Sequence, residues 1–306
     1  MKLFKDNRTF DEISIPFLQE KEIELAKRTL VGYSTKVKVF SRWLTERGRD
    51  KLPMRKITPQ MISEFFLHIT ISKDLDRPTI EKYFLHLRSC WQWAKKRDIV
   101  QSIPFDLVVK PIKKRDNGAV VIQSEDLSKL LTAIKEKDKW LYLACMMEYY
   151  CFIRPNEIRH MKVGDIDFDN GLVKVSPLVA KNRRAETVTM PQQLHDLCIE
   201  LGVDALDKNL YLFGKKRPAK TPIGINTLRN KFNGYRNSLG VSDAVKFYSW
   251  KHTGATMLHM SGNISMRELM DQLRHTRLDA TQHYVKKHSG ILNTRIRDNF
   301  PNPLNT

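Results

Sequence analysis

Apolar residues fall in helical register along the first hundred positions of the chain. Tyr33, Val37, Phe40, Trp43 and Leu44 recur at the three- and four-residue spacing that lines one helix face, which predicts a long helix between residues 28 and 48, ending near Gly48. A second helix is expected from Thr58, whose side chain can cap it. Pro59 suits its first turn, and Ile62, Phe65, Phe66 and Ile69 form its apolar stripe. A third opens at Pro78, where Ile80, Tyr83, Phe84, Leu87, Trp91 and Ala94 repeat the pattern up to the polar run Lys95 to Asp98. These segments predict a small helical bundle with aromatic packing. The first twenty or so residues and the tail after Tyr284 carry no pattern that predicts an element.

Periodicity is lost over KPIKKRDNGAV (110–120), where Pro, Gly, Asn and a basic cluster read as a linker. Beyond it, Ser124 before Glu125 and Asp126 opens another helix, with the acids in the first turn, where the helix dipole favours them. An apolar helix containing Leu141 to Cys151 follows. The period then changes to alternation. Ile166 and Phe168, a turn at Asp169-Asn170-Gly171, then Leu172, Val173 and Val175 predict a hairpin. The polar stretch Lys181-Asn182-Arg183-Arg184 separates it from a further strand, Thr187 to Met190, so the sheet is expected to carry a basic tip. From about Pro191 onward the remainder reads as helices. The expected fold is therefore mainly α with a small antiparallel β-sheet (α+β), divided into a helical domain over 1–112, a basic linker over 113–121 and a second domain over 122–306.

Charge narrows the range of partners. Lys and Arg number 53 against 34 Asp and Glu, a net charge of +19, and the excess occurs in both halves, with 25 basic against 15 acidic residues up to residue 117 and 28 against 19 after it. Such a surface favours a polyanion, although charge alone also serves solubility. The linker residues Lys113, Lys114 and Arg115 can follow a phosphate backbone or simply keep the linker solvated. No P-loop, G-x-G-x-x-G, H-E-x-x-H or zinc spacing is present, and no cofactor or metal is expected. Cys90, Cys145, Cys151 and Cys198 lack C-x-x-C spacing and read as reduced core thiols. The charged start, together with a longest apolar run broken by Glu148, argues against secretion or membrane spanning; a cytoplasmic, nucleoid-associated location is expected.

Several isolated signals become informative in order. CFIRPNEIRHMKVGDIDF (151–168) runs from an apolar helix through Arg154 and Glu157 toward a strand. Arginine offers a planar, permanently charged fork for two phosphate oxygens, although a helix-end arginine paired with an acid is an equally ordinary reading. Lys181 stands at the expected hairpin turn, with Arg183 and Arg184 beside it. Further on, SWKHTGATML and LRHTRLDATQHY fall in one window, and His275 lies nine positions before Tyr284.

In this order the segments resemble the boxes of the tyrosine recombinase, or phage-type integrase, family. Arg154 and Glu157 hold the places of the first box. SWKHTGATML is similar to the family's L-R-H-T-x-A-T-x-L helix, and LRHTRLDATQHY is similar to its L-G-H-s-x-x-x-T-x-x-Y box. The first domain is similar to the helical, SAM-like core-binding domain of these enzymes. The resemblance implies a site-specific recombinase or integrase that cuts and rejoins duplex DNA through a 3′-phosphotyrosyl intermediate. In it Tyr284 is the nucleophile, Arg154, Lys251 and His275 serve the scissile phosphate, Lys181 protonates the leaving 5′ oxygen, and Arg183 and Arg184 bind DNA phosphates. It also implies a tetramer on two duplexes, with the last helix docking on a neighbour and the tail beyond His288 a candidate for that contact. Accessory DNA-bending proteins and carriage by a mobile element also belong to this picture.

Two departures stand out. Where the family has H-x-x-R, this chain has Tyr248 and Lys251. Lysine keeps the charge but loses the fork, and tyrosine keeps a hydrogen-bond donor but, with a reference pKa of about 10, cannot exchange protons near neutrality. The rival expectations are therefore a cleavage-impaired DNA-binding relative, a topoisomerase- or resolvase-like activity that shares the phosphotyrosine step, and an unrelated helical RNA-binding protein, which would explain the charge but not the ordered boxes.

Overall fold

The computed structural model describes residues 6–73, 75, 77–108, 120–177, 185–215, 218–277 and 281. The chain divides into two compact units, Met1–Asn117 and Gly118–Thr306.

The first unit contains four α-helices among the described residues, α1 (Phe10–Glu24), α2 (Lys27–Thr45), α3 (Pro59–Ser72) and α4 (Arg77–Lys95). The stripes expected for α2 to α4 are the ones that become buried, around Phe40, Trp43, Phe65 and Trp91. Their rings meet mostly edge to face, Phe40 on Phe65 at 4.9 Å between centroids. Thr58 Oγ1 accepts the Met61 N–H at the start of α3, as its capping role requires. Helix α1 is a correction to the sequence reading, which left this region without an element. It begins in a reciprocal capping box, with Thr9 Oγ1 accepting from the Glu12 N–H and Glu12 accepting from the Thr9 N–H. It buries Phe10, Ile13 and Phe17, and it tolerates Pro16 in its interior, the residue that makes the segment read as broken.

In the second unit, α5 (Ser124–Lys137) and α6 (Lys139–Cys151) lead into a short α7 (Pro155–His160) and a three-stranded antiparallel sheet. Its strands are β1 (Ile166–Asp167), β2 (Leu172–Val175) and β3 (Glu186–Thr189), in that order. Val173 pairs with Ile166 on one side and Val188 on the other, so the alternating apolar residues face the core. Phe168 lies in the turn and not in β1, and Gln123 rather than Ser124 occupies the cap position of α5, without a side-chain bond.

After α8 (Gln192–Glu200) the expectation that the remainder is helical fails for one stretch. The described residues of 201–226 (201–215 and 218–226) are irregular, with isolated bridges, Lys162 to Tyr211, Tyr211 to Ala219 and Gly214 to Pro222. The Gly and Pro content of the stretch explains the change. At Gly214 an added Cβ would lie 2.2 Å from that of Ala219, so the close approach there requires glycine. Helices α9 (Thr227–Ser238), α10 (Ser249–Met260) and α11 (Met266–Leu273) complete the unit. All four cysteines are buried free thiols. No helix among the described residues is long and apolar enough to cross a membrane.

Candidate functional site

The site is organised by the end of α6. Fully buried apolar side chains carry this helix through the core, and Phe152 closes it in the left-handed conformation, φ 55°. That conformation costs a residue with a Cβ on the order of 1–2 kcal/mol. The Phe152 ring is anchored against Ala255, Leu269 and Leu273, while its carbonyl is aimed into the site. Two residues later Arg154 caps α7. Its backbone N–H donates to Glu157 Oε2 at 2.8 Å and its Nη1 donates to Glu157 Oε1 at 2.9 Å. The arginine-with-acid reading and the phosphate reading of Arg154 are thus compatible, because the acid orients a guanidinium that keeps 19% of its side-chain surface exposed.

Helix α10 brings in Lys251. The helix packs so closely on α6 that a Cβ at Gly254 would lie 2.0 Å from the Tyr149 carbonyl oxygen. One turn earlier, Lys251 is fully buried and its Nζ donates to the Phe152 carbonyl at 2.9 Å. Burial, reinforced by the positive charges of Arg154 and Arg274, lowers the Lys251 ammonium to about 7, and Glu157 and Glu148 act against that fall. Glu148, on α6, is buried with neither carboxylate oxygen hydrogen-bonded among the described residues. Burial pushes its carboxyl well above the usual range, although Lys251 opposes the rise. Tyr248 sits half-buried at the N-cap of α10, its ring edge-on to His252 at 5.1 Å. His252 is lowered to about 4 by burial and by the charge of Lys251.

Helix α11 delivers the third box. Its end is closed by the Arg274 N–H to the Asp271 carbonyl and the His275 N–H to the Met270 carbonyl, both at 3.0 Å. This is a Schellman closure, in which the left-handed residue is ordinarily glycine; here it is Arg274, φ 58°. The Arg274 side chain turns inward. Nη2 donates to Glu157 Oε2 at 2.6 Å and to the Phe152 carbonyl at 3.3 Å, and Nη1 donates to Glu186 on β3 at 3.4 Å. Burial by itself would raise the Glu157 carboxyl, but the charge and hydrogen bond of Arg274, with Arg154, hold it below the ordinary range. Gln272 clamps α11 to the sheet by pairing with both the N–H and the carbonyl of Thr189. His275 Nδ1 lies 3.0 Å from the hydroxyl of the buried Thr281.

The structure therefore brings Lys251 and Arg274, the residue before His275, onto one carbonyl two residues before Arg154. Lys181, Arg183, Arg184, Lys113, Lys114, Arg115 and Tyr284 lie outside the described residues. The sequence reading missed Arg274, Glu148, Glu186 and Gln272. For Arg274 the signal was present, an arginine in the glycine place of L-G-H. For the others none was, since an acid on an apolar helix or in a short strand looks like any other.

A model of the phage integrase family matches residues 121–290, and a phage integrase SAM-like domain model matches residues 9–114. The chain belongs to the phage integrase family, and its class of activity is that of the tyrosine-type site-specific DNA recombinases. A curated relative from Pseudothermotoga lettingae, named tyrosine recombinase, is 24% identical over 264 residues, covering 85% of this chain and 88% of its own. The Tn1549 transposon integrase solved with a circular intermediate DNA shares the fold at a TM-score of 0.74 and 16% identity, covering 91% of this chain and 95% of that one. A lambda integrase tetramer bound to a Holliday junction does so at 0.75 and 14%, covering 94% and 80%.

Proposed function

We propose that the chain cuts and rejoins duplex DNA through a 3′-phosphotyrosyl intermediate on Tyr284. The phenol loses its proton and its oxygen attacks the scissile phosphorus. The bond to the 5′ oxygen breaks, and Lys181 gives that oxygen a proton, so the bond energy is kept for rejoining without nucleotide or metal. Arg154 and His275 meet the non-bridging oxygens. Lys251 acts on the same phosphate by charge from beneath the surface, where it is fully buried and its Nζ donates to the Phe152 carbonyl. Arg183, Arg184 and the basic segment Lys113, Lys114 and Arg115 bind phosphates along the duplex.

The observation that supports this reading best is the convergence of α10 and α11 on the Phe152 carbonyl, two residues from Arg154. It concentrates three cations where a phosphodiester would gain charge. The fold shared with the lambda integrase tetramer supports assembly of four copies on two duplexes, with the tail beyond His288 reaching a neighbour. Service to a mobile element, a cytoplasmic, nucleoid-associated location and help from DNA-bending proteins complete the proposal. A second reading, a DNA-binding relative impaired in cleavage, is favoured by the complete burial of Lys251 in the place of the family arginine. In EDTA and without nucleotide, the purified chain should form covalent adducts with a pool of nicked duplexes of randomised sequence. Adducts that appear only with added Mg²⁺ would contradict the mechanism, and binding without adducts would favour the second reading.

A further inference from the structure

Arg274 stands out on three independent counts. It takes a left-handed backbone conformation that glycine would adopt without strain. Its side chain is almost completely buried, 3% exposed, and Nε has no hydrogen-bond partner among the described residues. Its two terminal nitrogens nevertheless reach three elements: Glu157 at the start of α7, the Phe152 carbonyl at the end of α6 and Glu186 on β3. A strained backbone and a buried charge persist only where the surroundings fix them, and both are found here one residue from His275.

We propose that Arg274 is a positioning residue for strand cleavage, a buried guanidinium that orients Arg154 through their shared partner Glu157 and supplies the fixed fork that Lys251 cannot provide. This rests on the reading of Arg154 as a phosphate ligand. Glu157 Oε2 takes both the Arg154 backbone N–H and Arg274 Nη2, so the carboxylate is held from two sides and presents Oε1 to the Arg154 guanidinium in one orientation. Lysine at 251 donates to the Phe152 carbonyl as a point charge, and Arg274 adds a contact to that same oxygen. The two cations thus share at this carbonyl the work that one guanidinium would do. Glu148, within the field of Lys251 and with both oxygens without a hydrogen-bond partner among the described residues, gives an arginine at 251 a ready acceptor.

The test uses Arg274→Gly, which removes the guanidinium while relieving the backbone, together with Arg274→Gly/Lys251→Arg. Covalent adduct formation is followed on the nicked duplex pool at saturating and sub-saturating DNA, with thermal melting as a check on folding. Arg274→Gly should stay folded but melt somewhat lower than the parent, since buried Glu157 loses a partner while the backbone is relieved, and it should slow adduct formation at saturation on the order of 100-fold, with the half-saturating DNA concentration nearly unchanged. The double variant should recover most of the rate. An Arg274→Gly protein as fast as the parent overturns the proposal, and so does a slow one that Lys251→Arg fails to restore. A second readout needs no activity. In ¹³C-labelled full-length protein without DNA, Glu157 should titrate in the ordinary range or above once Arg274 is glycine, and below it in the parent; identical titrations would also overturn the proposal. If the parent makes no adduct, the cleavage reading fails while this titration still decides the role of Arg274.

Discussion

Lys251 replaces a residue that cannot lose its proton with one that can. Burial and the neighbouring guanidinium groups of Arg154 and Arg274 lower it to about 7, with Glu157 and Glu148 pulling the other way. The ammonium is therefore present below pH 7 and lost as pH rises through it. Since the second-order rate at sub-saturating DNA reports groups of the free protein, the ratio of the Lys251→Arg rate to the parent rate should rise as pH increases above about 7 and level off below it. Adduct formation measured from pH 6 to 9 checks this, and a ratio independent of pH would show that Lys251 stays charged throughout. The residues proposed for this chemistry divide sharply in their legibility. Arg154, Lys251 and His275 can be proposed from the sequence because each sits in a segment whose order and spacing are distinctive. The groups that set their behaviour cannot be, because burial of Glu148 and the inward turn of Arg274 arise only once α6, α7, β3 and α11 are packed.

At the scale of elements, the α6 and α10 pair fixes the site. Gly254 allows the two helices to touch backbone to backbone, and the atom that a methyl group would strike is a carbonyl oxygen that cannot rotate away. Gly254→Ala should therefore destabilise the second unit by about 1–3 kcal/mol despite the better helix propensity of alanine, and should also slow cleavage by lifting Lys251 off the Phe152 carbonyl. Urea unfolding checks the first effect; unchanged stability would mean that α10 can shift without loss. In the first unit the Thr9 cap is testable in the same way, with Thr9→Ala expected to cost about 1 kcal/mol. Long helices with a single apolar stripe, α2 to α4, were legible from periodicity, as was the hairpin from its Asp-Asn-Gly turn. Helix α1 was not, since Pro16 interrupts a short pattern whose clearest signal is the capping box at Thr9 and Glu12. The irregular stretch among the described residues of 201–226 reads as helix from sequence because its scattered apolar residues, Leu210, Leu212 and Phe213, are held by isolated bridges and not by a periodic face.

For the whole molecule, a charge of +19 spread over both halves makes DNA affinity an electrolyte effect. If about six or more phosphates are neutralised, binding should weaken roughly 10³-fold or more as salt rises from about 50 to about 200 mM. Fluorescence anisotropy with a duplex of arbitrary sequence measures this slope, and a flat response would remove the electrostatic basis of the interface. Charge alone, however, also describes many proteins that never cut DNA. The central claim is chemical, and denaturing gel electrophoresis of the purified chain incubated with nicked duplexes, beside its Tyr284→Phe variant, tests it most directly. A covalent protein–DNA band formed by the parent and lost in the variant is the predicted result, whereas a band that persists in Tyr284→Phe, or tight binding with no band at all, would contradict it.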